Sequence, residues 1–151
     1  MPGPVQVPEC RSAAAAKEFR GKGLCDVEGP IEQYNLPKFR WALGPLTSVE
    51  LEARQQGPHL LAIYYRNVHP DQEVTIEVNG SPAGTFRLPN TGMHAGRLLF
   101  CSAELRQGNN TMNLRFAKWA PPHENQRPIA LLITKIVWIA GSRAAARAAG
   151  S

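Results

Sequence analysis

Cysteine is scarce in this chain of 151 residues: Cys10, Cys25 and Cys101 make an odd number, with no C-x-x-C spacing and no histidines placed to complete a zinc set. A disulfide-stapled scaffold and a zinc ribbon are both disfavoured. Cys10 and Cys25 could pair, but free thiols are the expectation, because no basic start followed by an apolar stretch marks a secretory leader. Charge is thin as well. Asp, Glu, Lys and Arg make up 19% of the chain, below the usual ~25%, which excludes a disordered polyelectrolyte. Acids are fewer than bases, 12 against 17, for a net charge of +5. The bases are scattered, with Lys17, Arg20 and Lys22 near the start, Arg143 and Arg147 at the end and most others single. No dense Lys/Arg block is interleaved with aromatics, so no nucleic-acid groove is expected. No apolar run reaches the ~20 residues that span a bilayer. The longest, Ile129 to Ala140, is interrupted by Thr134 and Lys135. No membrane span is expected, and the chain reads as cytoplasmic.

Signatures of catalysis are missing too. G-x-S-x-G, H-E-x-x-H and a Gly-rich phosphate loop do not occur. His59, His69, His94 and His123 each stand alone in turn-like surroundings. A Ser/His/Asp set assembled only in space is not legible in a sequence, but the expectation is a protein that is not an enzyme.

What the chain does have is turns and short alternating runs. Thirteen Gly, thirteen Pro and 43% hydrophobic residues describe a real core with many bends and few long helices. Residues 1–28 read as an irregular N-terminal segment in which Ser12–Arg20, alanine-rich behind a serine cap, could form a short helix stopped by Gly21 and Gly23. Residues 29–141 read as the folded domain, and 142–151, SRAAARAAGS, as a low-complexity tail too short for a stable helix. Within the domain, Phe39–Leu43 is a short strand ending at Gly44-Pro45. Leu46–Arg54 alternates, with Thr47, Val49, Leu51 and Ala53 on one face. His59–Asn67 is apolar on both faces, as in a central strand.

Glu73–Pro89 is a hairpin: Val74, Ile76 and Val78 share a face, Asn79-Gly80 supplies the positive φ of a tight bend, and Phe86 and Leu88 restore the apolar face. Pro82 and Gly84 are expected to lengthen its loop. Gly96–Leu105 follows, with Cys101 a small core residue. Gly108-Asn109-Asn110 is expected as a turn rather than as the glycosylation acceptor that Asn109-Asn110-Thr111 spells. Met112, Leu114 and Phe116 then point inward. The run from Pro128 to Gly141 is the most apolar strand and is placed at the centre of its sheet. Seven or eight strands with turns between them and no helical crossovers predict an all-β, antiparallel two-sheet β-sandwich (jelly roll) or a barrel.

The order of FRWALGP, HLLAIYYRN, VTIEVNGSPAGTFRL, NTMNLRF and PIALLITKIVWI resembles that of the jelly-roll, galactose-binding-like modules attached to bacterial glycosyltransferases, methyltransferases and other polysaccharide enzymes. The resemblance covers roughly residues 29–141. It implies a sandwich fold, no catalysis, carbohydrate as ligand, and an associated glycosyltransferase or a second copy as a protein partner.

A sugar site needs a flat aromatic for the pyranose and fixed polar groups for its hydroxyls. Trp119 with His123, Glu124, Asn125 and Arg127 offers that mixture in one loop; the alternative is a core cap under a solvated loop. Tyr64 and Tyr65 point to opposite faces of one strand. Tyr64, Arg66 and Glu77 would make a second groove if they shared a sheet face. Trp41 reads as packing under a sheet edge, with a ligand platform as its other role, and Trp138 as core. No cofactor is implied. Asp26, Glu28 and Asn35 are the weak candidates for a structural calcium that such folds sometimes hold.

Overall fold

The computed structural model describes residues 11–120 and 127–141. Alternation decides most of it. The strands among these residues are β1 (Arg11–Ala15), β2 (Arg20–Lys22), β3 (Arg40–Leu43), β4 (Leu46–Ala53), β5 (Gly57–Arg66), β6 (Gln72–Val78), β7 (Ser81–Leu88), β8 (Arg97–Leu105), β9 (Gly108–Phe116) and β10 (Ile129–Ala140). They form two antiparallel sheets. Sheet A runs β1-β10-β5-β8, with β3 also pairing β10; sheet B runs β2-β4-β9-β6-β7. The expected β-sandwich is what forms.

The core lies between the sheets. The odd residues of β5, Leu61, Ile63 and Tyr65, face inward with Leu99 and Cys101 of β8 and with Ile133, Ile136 and Trp138 of β10. Sheet B answers with Val49, Leu51, Val74, Ile76, Met112 and Leu114, all at most 1% exposed. Each such side chain stabilises the fold by about 1.5–3 kcal/mol relative to exposure. The inward sets of β4, β6 and β9 are the ones their alternation names. β10 is central, between β1 and β3 on one side and β5 on the other.

A second, smaller apolar cluster sits outside sheet A. Leu36, Phe39, Trp41 and Leu132 pack with Ile31, Tyr34, Met93 and Ile129. The segment between β2 and β3 folds over one end of the sheet to make it. Arg40 ties that segment down by donating to Cys25 O (2.6 Å) and Phe19 O (2.8 Å).

Four expectations are corrected. Ser12–Arg20 is not a helix: Arg11–Ala15 is strand β1, paired from Arg11↔Ile139 to Ala15↔Lys135. Alanine's helix propensity is worth only tenths of a kcal/mol per residue, and pairing with β10 outweighs it. Small side chains also suit the place, since Ala14 and Ala16 fit under the core beside Ile136 and Trp138. The sandwich therefore begins by Arg11 and not at residue 29. Pro82 and Gly84 do not lengthen a loop. The bend is a two-residue turn, Asn79 (φ 50°) and Gly80 (φ 83°), after which β7 starts at once and absorbs Ala83 as a bulge. Lastly, Gly108-Asn109-Asn110 opens β9, and the chain turns at Arg106-Gln107 instead. Buried Asn110 holds that turn, accepting from Arg106 N (2.9 Å) and donating to the Arg106 and Gly108 carbonyls (3.0 Å each).

Candidate functional site

The chain leaves β9 at Phe116, and the buried Gln72 side chain catches it. Gln72 Oε1 accepts from Lys118 N (2.9 Å), while Nε2 donates to Lys118 O (2.7 Å) and Ala130 O (3.0 Å). This clamp fixes the backbone just before Trp119. Trp119 is 38% exposed, a large value for tryptophan in a small domain. Its Cβ, Cγ and Cδ2 lie so close to Gly44 that a Cβ there would stand 2.6–2.8 Å from them. The β3–β4 turn therefore serves as a seat for the side chain, and only glycine leaves room for it. Gly44 N donates to Pro128 O (2.8 Å), which brings the chain on the far side of the loop to the same seat. Next to Pro128, Arg127 Nη1 meets Glu28 Oε2 at 3.2 Å, an exposed pair of modest energetic weight that orients the guanidinium. Trp119 and Arg127 thus belong to one end of the sandwich. His123, Glu124 and Asn125 lie outside the described residues.

Tyr64 lines a separate recess of about 350 Å³ on sheet A, together with Pro37, Arg66, Arg97, Leu98 and Thr134. The Lys135 ammonium lies 5.6 Å from its ring centre. Arg66 is at the recess but largely spent. It is 7% exposed and donates to the carbonyls of Tyr34, Asn35 and Met93, so it holds the loops over the second cluster. Burial lowers its pKa from the usual arginine range. Tyr65, on the other face of β5 as alternation requires, is core; burial raises its phenol and Arg97 pulls it partly back. The expected groove of Tyr64, Arg66 and Glu77 does not form. β5 and β6 are consecutive in the chain but belong to different sheets, and Glu77 pairs with Arg115 (3.0 Å) on sheet B.

Trp41, 9% exposed, sits edge-on to Phe39 in the second cluster and is taken up by packing. Trp138 is core, its Nε1 donating to Glu52 O (2.9 Å). The structure does not bring Asp26, Glu28 and Asn35 together as a cage. Glu28 faces Arg127, and the Asn35 carbonyl accepts from Arg66. Among the described residues no three His, Cys, Asp or Glu side chains converge on a point that could hold a metal ion.

Another recess, about 910 Å³, lies at the end of the sandwich where β10 finishes, lined by Glu18, Arg20, Glu50, Glu52, Arg54 and Trp138 among others. Sequence reasoning gave no hint of it, because it is assembled from four separated segments. Its charges are of both signs, and its aromatics, Phe19 and Trp138, are buried, so it offers no open ring for a sugar.

No protein-family model and no curated protein sequence matches the chain. Solved structures do. A family 35 carbohydrate-binding module from Clostridium thermocellum superposes with a TM-score of 0.64 over 87% of this chain and 98% of that one, at 15% identity. The C-terminal CBM6 of a marine laminarinase from Zobellia galactanivorans gives 0.57 over 85% and 98%, at 12% identity. An exo-β-1,3-galactanase from Phanerochaete chrysosporium, solved with β-1,3-galactotriose, gives 0.58 over 85% of this chain but only 29% of its own, at 19% identity. At such identities the likeness is one of fold: this chain has the β-sandwich of carbohydrate-binding modules.

Proposed function

We propose that this chain is a carbohydrate-binding module without catalysis of its own, serving the glycan handled by an associated enzyme such as a glycosyltransferase. One observation carries the reading: Trp119 stands exposed on a clamped loop, seated on Gly44, with Arg127 oriented at the same end. An indole held this way presents a flat apolar surface to a pyranose without losing conformational freedom on binding. Arg127 supplies donors for the hydroxyls, and His123, Glu124 and Asn125, which lie between it and Trp119 in the sequence, are the further polar candidates. The fold shared with carbohydrate-binding modules supports the ligand class. Of the described histidines, His59 is buried against Gly57 O (2.8 Å), His69 bonds Ile129 O (2.9 Å) and His94 packs edge-on to Tyr34.

A glycan array followed by calorimetry tests the proposal. Binding to at least one polysaccharide is expected, weakened about ten-fold or more by Trp119→Ala. Gly44→Ala, which pushes the indole off its seat, should weaken it in the same direction, and Tyr64→Ala should leave it unchanged. Silence across the array ends the reading. Loss of binding in Tyr64→Ala alone moves the site to the sheet A recess.

A further inference from the structure

A buried cation is normally matched by a carboxylate, because a charge taken out of water without one is costly. Arg66 departs from that rule. It is 7% exposed, yet the ion pairs among the described residues are Arg115 with Glu77 and Arg127 with Glu28. Arg66 bonds carbonyls instead: Nη1 donates to Tyr34 O and Met93 O, and Nη2 donates to Asn35 O (2.9 Å). Loss of water lowers its pKa, and no carboxylate restores it. The guanidinium is also not fully used. Nε–H and the second hydrogen of Nη2 have no acceptor among the described residues. No fully buried side-chain nitrogen or oxygen among these residues lacks a partner, so Nε is within reach of solvent. The way in is at Gly96, where a Cβ would stand 3.8 Å from Nε. Gly96 and Arg66 both line the sheet A recess of about 350 Å³.

The rest of the recess suits an anion with an apolar body. Among the described residues no Asp or Glu lines it, and Arg97 adds a second cation to the lining. Register sets Lys135, Tyr64 and Leu98 in one row across β10, β5 and β8. The Lys135 ammonium, 5.6 Å from the Tyr64 ring centre, therefore adds positive potential along that row. The remaining walls are apolar: the Tyr64 ring, Leu98 and Pro37. A sugar would find few fixed groups for its hydroxyls, since Thr134 Oγ1 already donates to Tyr64 O (3.4 Å). A carboxylate finds the charge-assisted donors that Arg66 leaves open.

We propose that the sheet A recess binds a small carboxylate with a ring-sized apolar body, the carboxylate accepting from Arg66 Nε–H beside Gly96 and the body lying against Tyr64 and Leu98. The site is separate from the Trp119 end. It rests on the recess alone and is independent of the carbohydrate reading.

Benzoate is the probe. Titrated to about 10 mM into the isotope-labelled full chain, it should move the Arg66 Nε–H and Gly96 N–H resonances toward saturation, with a Kd on the order of 1 mM. Trp119→Ala should bind it as the parent does. Gly96→Asp sets a carboxylate of the chain's own beside Nε, and φ at Gly96 lies outside the left-handed region, so the backbone accepts the change. This variant should bind benzoate at least ten-fold more weakly while its circular dichroism stays that of the parent. Tyr64→Ala, which removes a wall and leaves Arg66 in place, should weaken binding in the same direction. Inorganic phosphate and glucuronate, anions without the apolar body, should bind at least ten-fold more weakly than benzoate. An Arg66 Nε–H resonance that ignores benzoate overturns the proposal. So does full binding in folded Gly96→Asp or Tyr64→Ala, loss of binding in Trp119→Ala, or phosphate or glucuronate binding as tightly as benzoate.

Discussion

Cys101 shows how a single buried group makes the whole fold sensitive to pH. Burial raises its thiol to about 11, from 9.0 for a free cysteine. Below about pH 9 both folded and unfolded chains hold the proton, and the site's contribution to stability is fully present. Between about 9 and 11 the unfolded chain ionises while the folded one resists, so stability falls with rising pH, by at most about 2–3 kcal/mol from this group. Tyr65, also raised by burial, adds to the loss at the upper end of that window. Urea midpoints measured across the alkaline range should therefore drop, and should drop less steeply in Cys101→Ala. Parallel slopes for the two proteins would show that another group governs the alkaline limit.

At the scale of elements, the β6–β7 hairpin is set by its bend. Asn79 Nδ2 donates to Asn110 Oδ1 (2.8 Å), and its Oδ1 accepts from Thr111 N (2.9 Å), so the turn is anchored to β9 as well as closed on itself. A Cβ at Gly80 would meet nothing within 4 Å, yet φ is 83°. The cost of Gly80→Val is thus backbone strain alone, about 1–2 kcal/mol, visible as a lower melting temperature, and the binding of any glycan that the proposed site takes should stay unchanged in the folded variant. Gly80→Asn should recover most of it, because asparagine tolerates the left-handed region. If the two variants melt alike, the positive φ is not what the turn demands.

The bend and the inward face of this hairpin were legible in the sequence because their signals are local, whereas Pro82 and Gly84 read as loop and turned out to belong to the bulged start of β7. The inward faces of β4 and β9 and the central place of β10 were legible too. What could not be read depends on distant partners. Alanines 13–16 look helical until β10 lies beside them. The sheet to which β6 belongs is decided by the crossing after Arg66, and alternation is silent about it. Trp119 was legible as an aromatic among polar residues. Its seat on Gly44 was not, since that contact joins two turns far apart in the chain.

For the molecule as a whole, β1 is a guard. It covers one flank of β10, the most apolar strand of the sandwich, along Lys135–Ile139. A variant lacking residues 1–17 loses that pairing along with Ala14 and Ala16 from the core. It should melt lower and form thioflavin-positive aggregates on mild heating, since an uncovered hydrophobic strand recruits others. A truncated protein that stays monomeric and melts like its parent would show that β3 alone suffices on that side.

The position of β10 has a consequence in time. Sheet B has all five of its strands once Phe116 has been made. Sheet A has no centre until Ala140 follows, because β1, β3 and β5 all pair with β10. At ~5–20 residues per second, a growing chain spends about 1–5 s between those two points. During that interval Leu61, Ile63 and Tyr65 have a facing sheet but no neighbouring strand on the β10 side. A translating ribosome therefore holds a half-sandwich with an open apolar seam, and a chaperone that binds extended hydrophobic strands has its window there, before the last strand enters.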